Sequence, residues 1–304
     1  MSPQVILITG AATGFGRLSA LALARAGHHV FASMRDPDGA DRERATELAA
    51  IAAQERLSLE TIYLDVLSEQ SCRAAVDRIL ARYGRIDVAM NNAAMLMVGI
   101  CEAFRPEQFL EILDRNVVSW LRVNRAVLPA MRRQKQGLLL YTGSGLSHMV
   151  DPFTGVYAAS KAAGDSIAQI MALETSRYGI ETVIVMPGAF TTGTEHFNHA
   201  VGPADLEIAL QYDLLGGLGE RLASMLDSLN EPGVRTDPEQ ISEAICELVA
   251  MAPGTRPARL ELDPQRRRVG EITELSSRLQ ADFFDRMGIR DLLKPRLPRG
   301  VAIK

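Results

Sequence analysis

The chain alternates short apolar runs of strand length with longer segments whose apolar residues recur at helical spacing. The runs predict strands at 5–9, 29–33, 61–64, 86–90, 138–142 and 181–186, and a last strand around Leu260 and Leu262. The helical spacing predicts a first helix around Leu18 and Leu21, and further helices over 45–54, 69–82, 107–133 and 156–178. Apolar strands that alternate with helices are typical of an α/β protein with a doubly wound parallel sheet.

This rhythm breaks at residues 188–235, which are rich in glycine and proline and directly follow a predicted strand. Ligands of open parallel sheets bind beyond the carboxyl ends of the strands, so this segment is predicted to be a substrate lid rather than a mere excursion. We therefore predict one domain over residues 1–263, lid included, and a basic extension over 264–304. In that extension, apolar residues at helical spacing predict a helix that caps the pocket or contacts another subunit.

Composition excludes several classes of protein. With 304 residues, 47% hydrophobic and 23% charged, the chain is neither disordered nor collagenous. The longest uncharged apolar stretch, residues 93–101, is about half the length of a membrane span, and the first residues lack the pattern of a secretory leader. Three cysteines without a C-x-x-C pair fit a reducing compartment, so we expect a cytoplasmic protein with no membrane span.

The net charge of −4 gives the chain no general attraction for nucleic acid. The extension 264–304 is nevertheless basic, with ten Lys and Arg against five Asp and Glu. No aromatic residues are interleaved for stacking on bases, so the run Arg266, Arg267 and Arg268 is interpreted as a solvated terminus or a subunit contact. We expect neither a nucleic-acid nor a membrane partner.

A glycine-rich turn joins the first predicted strand to the first helix. Glycines there allow a tight turn and a close approach to a pyrophosphate, and the helix N-terminus offers free N–H donors. The position of the turn within the first βαβ unit favours a dinucleotide site over a simple tight turn. The candidate cofactor residues of the turn are Thr9, Gly10, Thr13, Gly14, Phe15 and Gly16.

The residue after the second strand predicts which cofactor binds. Arg35 occupies the place where a ribose selector belongs, and a guanidinium there pairs with a 2′-phosphate. Arg17 lies just past the turn and could reach the same phosphate. Asp36 is a rival that would favour NAD(H), but it comes one residue late. The prediction is NADP(H) in preference to NAD(H).

Tyr157 and Lys161 lie one helical turn apart, and Ser144 follows the strand at 138–142. A phenol with a pKa of about 10 is a poor acid–base catalyst near neutrality, and a neighbouring ammonium favours its ionised form. A serine hydroxyl can hold the substrate oxygen beside the phenol. Taken alone, such a Tyr–Lys pair is usually a pair on a helix surface. Its occurrence together with the glycine-rich turn is a much more specific indication of a catalytic site.

Together these motifs resemble the short-chain dehydrogenase/reductase family over roughly residues 3–262. The resemblance implies a Rossmann-type fold with a seven-stranded parallel sheet. It implies that Ser144, Tyr157, Lys161 and Asn116 are catalytic, with Asn116 holding a water-linked proton relay to Lys161. It also implies that further residues line the cofactor, namely Asp65 and Val66 at the adenine, Asn92 and Ala93 after the fourth strand, and Pro187, Gly188 and Thr192 at the carboxamide.

The sequence departs from the family pattern at two places. Ala94 replaces the usual glycine of Asn-Asn-Ala-Gly, and Thr142 with Gly143 precedes Ser144 where a Ser-Ser pair is more usual. Ser144 is the candidate by spacing, with Ser147 as a weaker rival. The Arg35 position resembles that of NADP-preferring members related to 17β-hydroxysteroid and retinol dehydrogenases.

The resemblance implies hydride transfer between a nicotinamide and a carbonyl or secondary alcohol, with Tyr157 as general acid or base. Lys161 would lower the pKa of Tyr157. Met, Leu, Val and Phe residues on the loops around the crevice predict an apolar small-molecule substrate. These loop residues are Met95, Leu96, Met97, Val98, Met149, Val150, Phe153, Phe190 and Phe197.

The family also implies a homodimer or homotetramer. A non-catalytic NADP(H)-binding sensor or scaffold on the same fold is the alternative, and loss of the tyrosine or lysine would indicate it. Glu195, His196 and His199 have no evident further ligand, so we predict no metal site.

Overall fold

One sheet of seven strands forms the centre of the molecule, whose computed structural model describes residues 2–297. The strands are β1 (Val5–Ile8), β2 (His29–Met34), β3 (Leu59–Tyr63), β4 (Val88–Asn91), β5 (Gly137–Thr142), β6 (Ile180–Pro187) and β7 (Arg259–Leu262). Their order is β3-β2-β1-β4-β5-β6-β7, and every neighbouring pair is parallel. The predicted seven-stranded parallel sheet is confirmed.

Helices cover both faces of this sheet, as a doubly wound fold requires. They are α1 (Gly14–Arg25), α2 (Arg42–Glu55), α3 (Glu69–Tyr83), α4 (Pro106–Leu113), α5 (Ser119–Gln134), α6 (Gly155–Ser176), α7 (Leu206–Leu210), α8 (Leu222–Ser228), α9 (Glu239–Ala250) and α10 (Val269–Met287). The single helix predicted over 107–133 is interrupted by a π-helical turn at Asp114–Val118. The spacing of apolar residues does not reveal this turn, because α4 before it and α5 after it both have apolar residues at helical spacing.

Two apolar cores lie on opposite faces of the sheet. On one face, Ile79 of α3, Val127 of α5 and Ala168 of α6 are fully buried against the strands. On the other face, Leu48 of α2 and Ile245 of α9 are fully buried together with α1. The strands contribute side chains to both cores, which explains why their sequences are apolar at consecutive positions.

The strand order creates the crevice in which a ligand can bind. β1 pairs with β2 on one side and with β4 on the other. The chain therefore builds the sheet outward from β1 through β2 and β3, and then returns to the opposite side of β1 to add β4. The crossovers separate at this point, and the carboxyl ends of β1 and β4 face an open cleft. The predicted site residues follow these strand ends.

The extension after β7 begins with a turn and continues into α10. Glu261 accepts hydrogen bonds from the backbone N–H groups of Val269 and Gly270, at 2.9 and 2.8 Å, and so fixes the start of the helix. Val269 at the start of α10 is fully buried in the core, whereas most of the later apolar side chains are exposed rather than packed on the pocket; the exposed ones are Ile272, Leu275, Leu279, Phe283 and Met287. The last part of the basic tail, including Arg299 and Lys304, lies outside the described residues.

Within residues 2–297, no helix is both long and apolar enough to cross a membrane.

A buried ion pair locks the end of α9 to the sheet. Arg256 and Glu181 are 6% and 7% exposed and contact each other, and Arg256 also donates to the carbonyl oxygens of Leu248 and Met251 at 2.7 and 2.8 Å. Removing one member of such a pair leaves an uncompensated buried charge.

Arg256→Met is therefore expected to lower the free energy of unfolding by about 3–5 kcal/mol, measured by urea denaturation. Arg235→Met is the matched control, because Arg235 pairs with Asp237 and Glu243 at the surface; its loss is expected to change stability by less than about 1 kcal/mol. Equal effects of the two substitutions would contradict the role given to the buried pair.

Candidate active site

A cavity of about 600 Å³ opens at the carboxyl ends of the strands. Residues from the ends of six neighbouring strands, β1 to β6, and from the lid (residues 188–235) form its walls. Most of the predicted cofactor and catalytic residues line it, namely Gly10, Thr13, Gly14, Phe15, Arg35, Asp65, Val66, Asn92, Ala93, Ser144, Tyr157, Lys161, Pro187 and Gly188. The fold thus brings together residues that lie far apart in the sequence.

The glycine-rich turn has the backbone that a phosphate cradle needs. Gly10 and Gly14 have φ angles of 65° and 53°, a left-handed conformation that side chains disfavour. Thr13, the N-cap of α1, makes no side-chain capping bond, and the first turn of α1 contains no acidic residue. The free N–H groups and the positive end of the helix dipole are therefore available to an anion in the cavity.

Gly16 lies behind the turn and does not line the cavity. A Cβ atom at this position would collide with the carbonyl oxygen of Gly10 and with the side chain of Asn92. Only glycine allows the first turn of α1 to pack this closely beneath the cradle. Together with the uncapped helix end, this close packing fits the pyrophosphate of a dinucleotide.

Hydrogen bonds of Asn92 join three strand ends beneath the cavity. Its Nδ2 donates to the carbonyl oxygens of Thr9 and Gly10 at 2.9 and 3.1 Å, and its Oδ1 lies 3.2 Å from the hydroxyl of Thr142. The Thr9 hydroxyl in turn accepts from the backbone N–H groups of Asn92 and Ala93. Thr9 thus supports the turn from below, and its side chain does not line the cavity.

The sequence offers Arg35, Arg17 and Asp36 as residues that select the ribose. Of these three, only Arg35 lines the cavity, where its side chain is exposed. Asp36 accepts a hydrogen bond from the backbone of Ala40 at 2.9 Å and so closes its own loop. Arg17 pairs with Glu47 at 3.1 Å. Among the residues considered for a 2′-phosphate, the geometry favours Arg35.

The structure places Thr192 on the exposed side of the lid, outside the cavity lining. Thr194, which the sequence did not single out, lines the cavity; its Cβ lies 3.8 Å from the position that a Cβ on Gly14 would take. The two threonines are two residues apart in an irregular loop, where no periodicity indicates which one faces inward. The cofactor role of Thr192 stays a prediction.

Ser144, Tyr157 and Lys161 meet at the bottom of the cavity, and all three are buried. Ser144 follows β5, and Tyr157 and Lys161 project from the first turns of α6. The Lys161 Nζ lies 5.6 Å from the Tyr157 ring centroid and donates to the carbonyl oxygen of Thr142 at 2.8 Å. Ser147 donates to the backbone of Lys161 and does not line the cavity, which leaves Ser144 beside the phenol.

Burial dominates the electrostatics of this group. It raises the pKa of Tyr157 above its usual value, although a hydrogen bond with Ser144 opposes the rise. Burial also lowers the pKa of Lys161 to about 8. Loss of water around the phenol therefore determines the net shift, and the Lys161 Nζ points to the Thr142 carbonyl. A lowering of the Tyr157 pKa by Lys161 stays a prediction.

Asn116 lies in the π-helical turn between α4 and α5, and its side chain does not contact Lys161. Its amide accepts from the N–H of Met95 at 2.8 Å and donates to the Met95 carbonyl and to Ser160 Oγ, both at 3.0 Å. It therefore fixes the strand-end loop that carries Met95 against α6. Single π-helical turns are frequent at functional sites, and this one coincides with the asparagine that the family resemblance singles out.

The lid closes one side of the cavity with aromatic side chains. His196 packs edge-on against Tyr157, with ring centroids 5.9 Å apart, and burial together with the Lys161 charge lowers its pKa to about 4. Glu195 lies 3.1 Å from Arg44 of α2, which ties the lid to the cofactor side. His199 lies 3.7 Å from Glu195. His196 and Glu195 thus contact residues outside the lid, whereas the contact of His199 lies within it.

A smaller side pocket of about 60 Å³ extends from Ser144 and Tyr157 toward the lid. Its walls are mainly apolar, with Leu96, Val98 and Phe197 near the reacting group and Leu222 and Leu226 from α8. Leu96, Val98 and Phe197 were among the loop residues expected around an apolar pocket.

Arg267 also lines this side pocket. This position corrects its interpretation as part of a solvated terminus, because its side chain is only 14% exposed. The run of three arginines contained no signal that its middle member turns inward.

Comparisons with known proteins agree with this geometry. The short chain dehydrogenase family model matches residues 4–200. The 3-ketodihydrosphingosine reductase of Bacteroides thetaiotaomicron is 31% identical over 255 residues, which cover 82% of this chain and 85% of that protein. Human 17-beta-hydroxysteroid dehydrogenase type 1 is 35% identical over 195 residues, 63% of this chain and 58% of that protein.

A solved short-chain dehydrogenase from Streptomyces avermitilis has the same fold. It superposes with a TM-score of 0.74 at 27% identity, over 94% of this chain and 98% of that one.

Gly16→Ala is expected to weaken NADPH binding at least about tenfold, because the added methyl group collides with Gly10 and Asn92 and pushes the cradle out of shape. Titration of cofactor fluorescence measures the effect. Gly202→Ala is the matched control, since a Cβ at Gly202 meets nothing within 4 Å, and it is expected to bind normally. An unchanged affinity in Gly16→Ala would show that the turn does not hold the cofactor.

Proposed function

The chain belongs to the short-chain dehydrogenase family, and we propose that it is an NADP(H)-dependent carbonyl reductase or alcohol dehydrogenase for an apolar small molecule. The observation that carries the proposal is the convergence of Ser144, Tyr157 and Lys161 in one cavity with the glycine-rich turn. A sensor that only binds the cofactor does not need a buried phenol beside a serine hydroxyl and a lysine.

The cofactor is held along the cavity from one strand end to the next. The cradle of Gly10, Thr13 and Gly14 would take the pyrophosphate, Asp65 and Val66 would flank the adenine, and Pro187 and Gly188 would contact the nicotinamide; all of these residues line the cavity. When bound, the nicotinamide supplies a hydride to the carbonyl carbon or accepts one from the alcohol carbon.

Tyr157 moves the proton. In reduction its phenol donates to the carbonyl oxygen, and in oxidation its phenolate takes the proton back. Burial raises the pKa of Tyr157, so the phenol stays protonated at neutral pH, as a proton donor must. The Ser144 hydroxyl holds the substrate oxygen beside the phenol and shortens the path of the proton.

Lys161 and Asn116 support this step. The Lys161 ammonium lies near the Tyr157 ring and offsets the negative charge that the phenol acquires when its proton leaves. Lys161 would also hold the nicotinamide ribose, and Asn116 would hold a water-linked proton relay to Lys161. The position of Asn116 in a π-helical turn supports this role.

The side pocket supports an apolar substrate. Its walls combine Leu, Val and Phe side chains around the reacting group. Relatives named as a 3-ketodihydrosphingosine reductase and a 17-beta-hydroxysteroid dehydrogenase act on largely apolar compounds, which favours a lipid-like ketone or secondary alcohol here. Binding of an NADP-type cofactor favours reduction in the cell.

We further propose a homodimer or homotetramer in the cytoplasm. Assembly would proceed through α5 and α6, the long helices of one sheet face. Exposed apolar residues such as Val118 and Ile170 at these helices support such a contact. The three cysteines are free, which supports a reducing compartment.

Tyr157→Phe is expected to lower turnover of a carbonyl panel with NADPH at least about a hundredfold, because it removes the proton donor without changing the volume of the site. Loss of NADPH absorbance measures turnover, and cofactor fluorescence checks that binding persists. Tyr141→Phe is the matched control, a buried tyrosine whose hydroxyl accepts a hydrogen bond from Asn124 outside the cavity. Tight NADPH binding with no turnover by the wild type would instead support the sensor.

Arg35→Asp is expected to lower the ratio of kcat/KM for NADPH over that for NADH by about tenfold or more, because it replaces the partner of the 2′-phosphate with a like charge. Steady-state kinetics with both cofactors measure the ratio. Arg42→Asp, with the same change of charge on nearby α2 but outside the cavity lining, is expected to leave it nearly unchanged. An equal fall of this ratio in both variants would indicate a general electrostatic effect of the changed charge rather than a contact between Arg35 and the 2′-phosphate.

A further inference from the structure

Asp151 and Arg267 are the two charged residues that line the side pocket, whose other walls are largely apolar. The Arg267 Nη2 donates to Asp151 Oδ2 at 2.8 Å, and the two side chains are 14% and 21% exposed. A largely buried ion pair loses much of its hydration, so hydrophobic residues of similar size would stabilise the pocket wall at least as well. The presence of this ion pair beside the reacting group is explained if it binds a polar group of the substrate.

The backbone aims Arg267 into the pocket. Arg266 and Arg268, its neighbours on either side, have φ angles of 46° and 58°, a left-handed conformation that residues other than glycine disfavour. Strain of this kind persists where the surrounding structure holds it, often at ligand sites. Here the strained turn directs the middle arginine inward while both of its neighbours remain at the surface.

The same segment is fixed to the active site. Gln265 exchanges hydrogen bonds with the backbone N–H and carbonyl of Ala189, both at 2.9 Å, just after the end of β6. Asp263 accepts from the backbone N–H of Arg267 at 2.7 Å. Arg267 is therefore preorganised with respect to Gly188, Ser144 and Tyr157 rather than free to swing into solvent.

We infer that Asp151 and Arg267 form a subsite for a hydroxyl group of the substrate, so that the enzyme prefers hydroxy ketones to the corresponding simple ketones. A carboxylate and a guanidinium side by side offer one acceptor and several donors, and a hydroxyl is the small group that both donates and accepts. An anionic group would meet the Asp151 carboxylate, and a cationic group would meet the Arg267 guanidinium.

The size of the side pocket sets the position of that hydroxyl. The reacting group and the ion pair line the same cavity of about 60 Å³, so few bonds separate the carbonyl carbon from the carbon that bears the hydroxyl. A hydroxyl on the α or the β carbon satisfies this condition. The Leu222 and Leu226 side of the pocket accepts the apolar remainder of the molecule.

This inference rests on the proposed function, and one pair of substrates tests it: a linear medium-chain ketone and its β-hydroxy derivative of the same chain length. The wild type is expected to show a kcat/KM roughly tenfold to hundredfold higher for the hydroxy ketone, as a hydrogen bond to charged groups allows. In Arg267→Gln the preference is expected to fall to within about threefold, mainly through KM for the hydroxy ketone.

Two further variants separate recognition from structure. Asp151→Leu combined with Arg267→Met removes both members of the pair, while Asp263, which also lies 3.5 Å from the Arg267 guanidinium, keeps its hydrogen bonds from the backbone N–H groups of Gln265 and residue 267. The double variant is expected to lose the preference while still reducing the simple ketone. Arg266→Met is the matched control, because Arg266 pairs with Glu231 at the surface, and it is expected to keep the wild-type preference.

The outcomes are distinct. A wild type that reduces both ketones equally overturns the subsite and leaves the proposed function standing. The same holds if the variants lower kcat/KM for both ketones by one factor, since that result indicates a structural ion pair. A wild type that reduces neither ketone, although it binds NADPH, overturns the proposed function together with the subsite.

Discussion

The hydrogen bonds of Asn92 are the interaction on which the rest of the site depends. They connect the end of β4 to Thr9 and Gly10 after β1 and to Thr142 at the end of β5. Parallel strands end at one edge of the sheet, but backbone pairing alone does not determine how the loops beyond that edge pack. The asparagine supplies this connection, and both the phosphate cradle and the Lys161 contact at the Thr142 carbonyl follow from it.

Exclusion of water gives this edge its chemistry. The same burial raises the pKa of Tyr157 and lowers the pKa of Lys161 to about 8, so near neutral pH the phenol is neutral while the amine still carries its proton. A neutral phenol is the form that reduction requires. The lid residue His196 covers the Tyr157 ring and helps to exclude water from it. Burial, together with the Lys161 charge, lowers the pKa of His196 to about 4 and keeps the imidazole neutral. The lid is therefore part of the electrostatic design of the site.

Much of the fold could be predicted from the sequence because the five inner strands are buried on both faces and are largely apolar along their length, whereas the edge strands β3 and β7 are partly exposed. Residues directly after these strands, such as Ser144 and Asn92, could be placed because a strand end determines their position. Thr194, the π-helical turn at Asn116 and the inward direction of Arg267 could not. Each depends on contacts between segments distant in the chain, or on a left-handed backbone at arginines, a residue type that gives no such signal.

In the proposed function, the reacting groups and one side of the substrate pocket come from different parts of the chain. The family match covers residues 4–200 and includes the cradle, Ser144, Tyr157 and Lys161. Leu222, Leu226 and Arg267 lie beyond it and form one side of the pocket. Hydride and proton transfer to a carbonyl need the same few groups whatever the rest of the substrate, whereas recognition of that remainder needs only surfaces that contact it. The lid and the turn after β7 can therefore change specificity while the sheet, which aligns the reacting groups, stays constant.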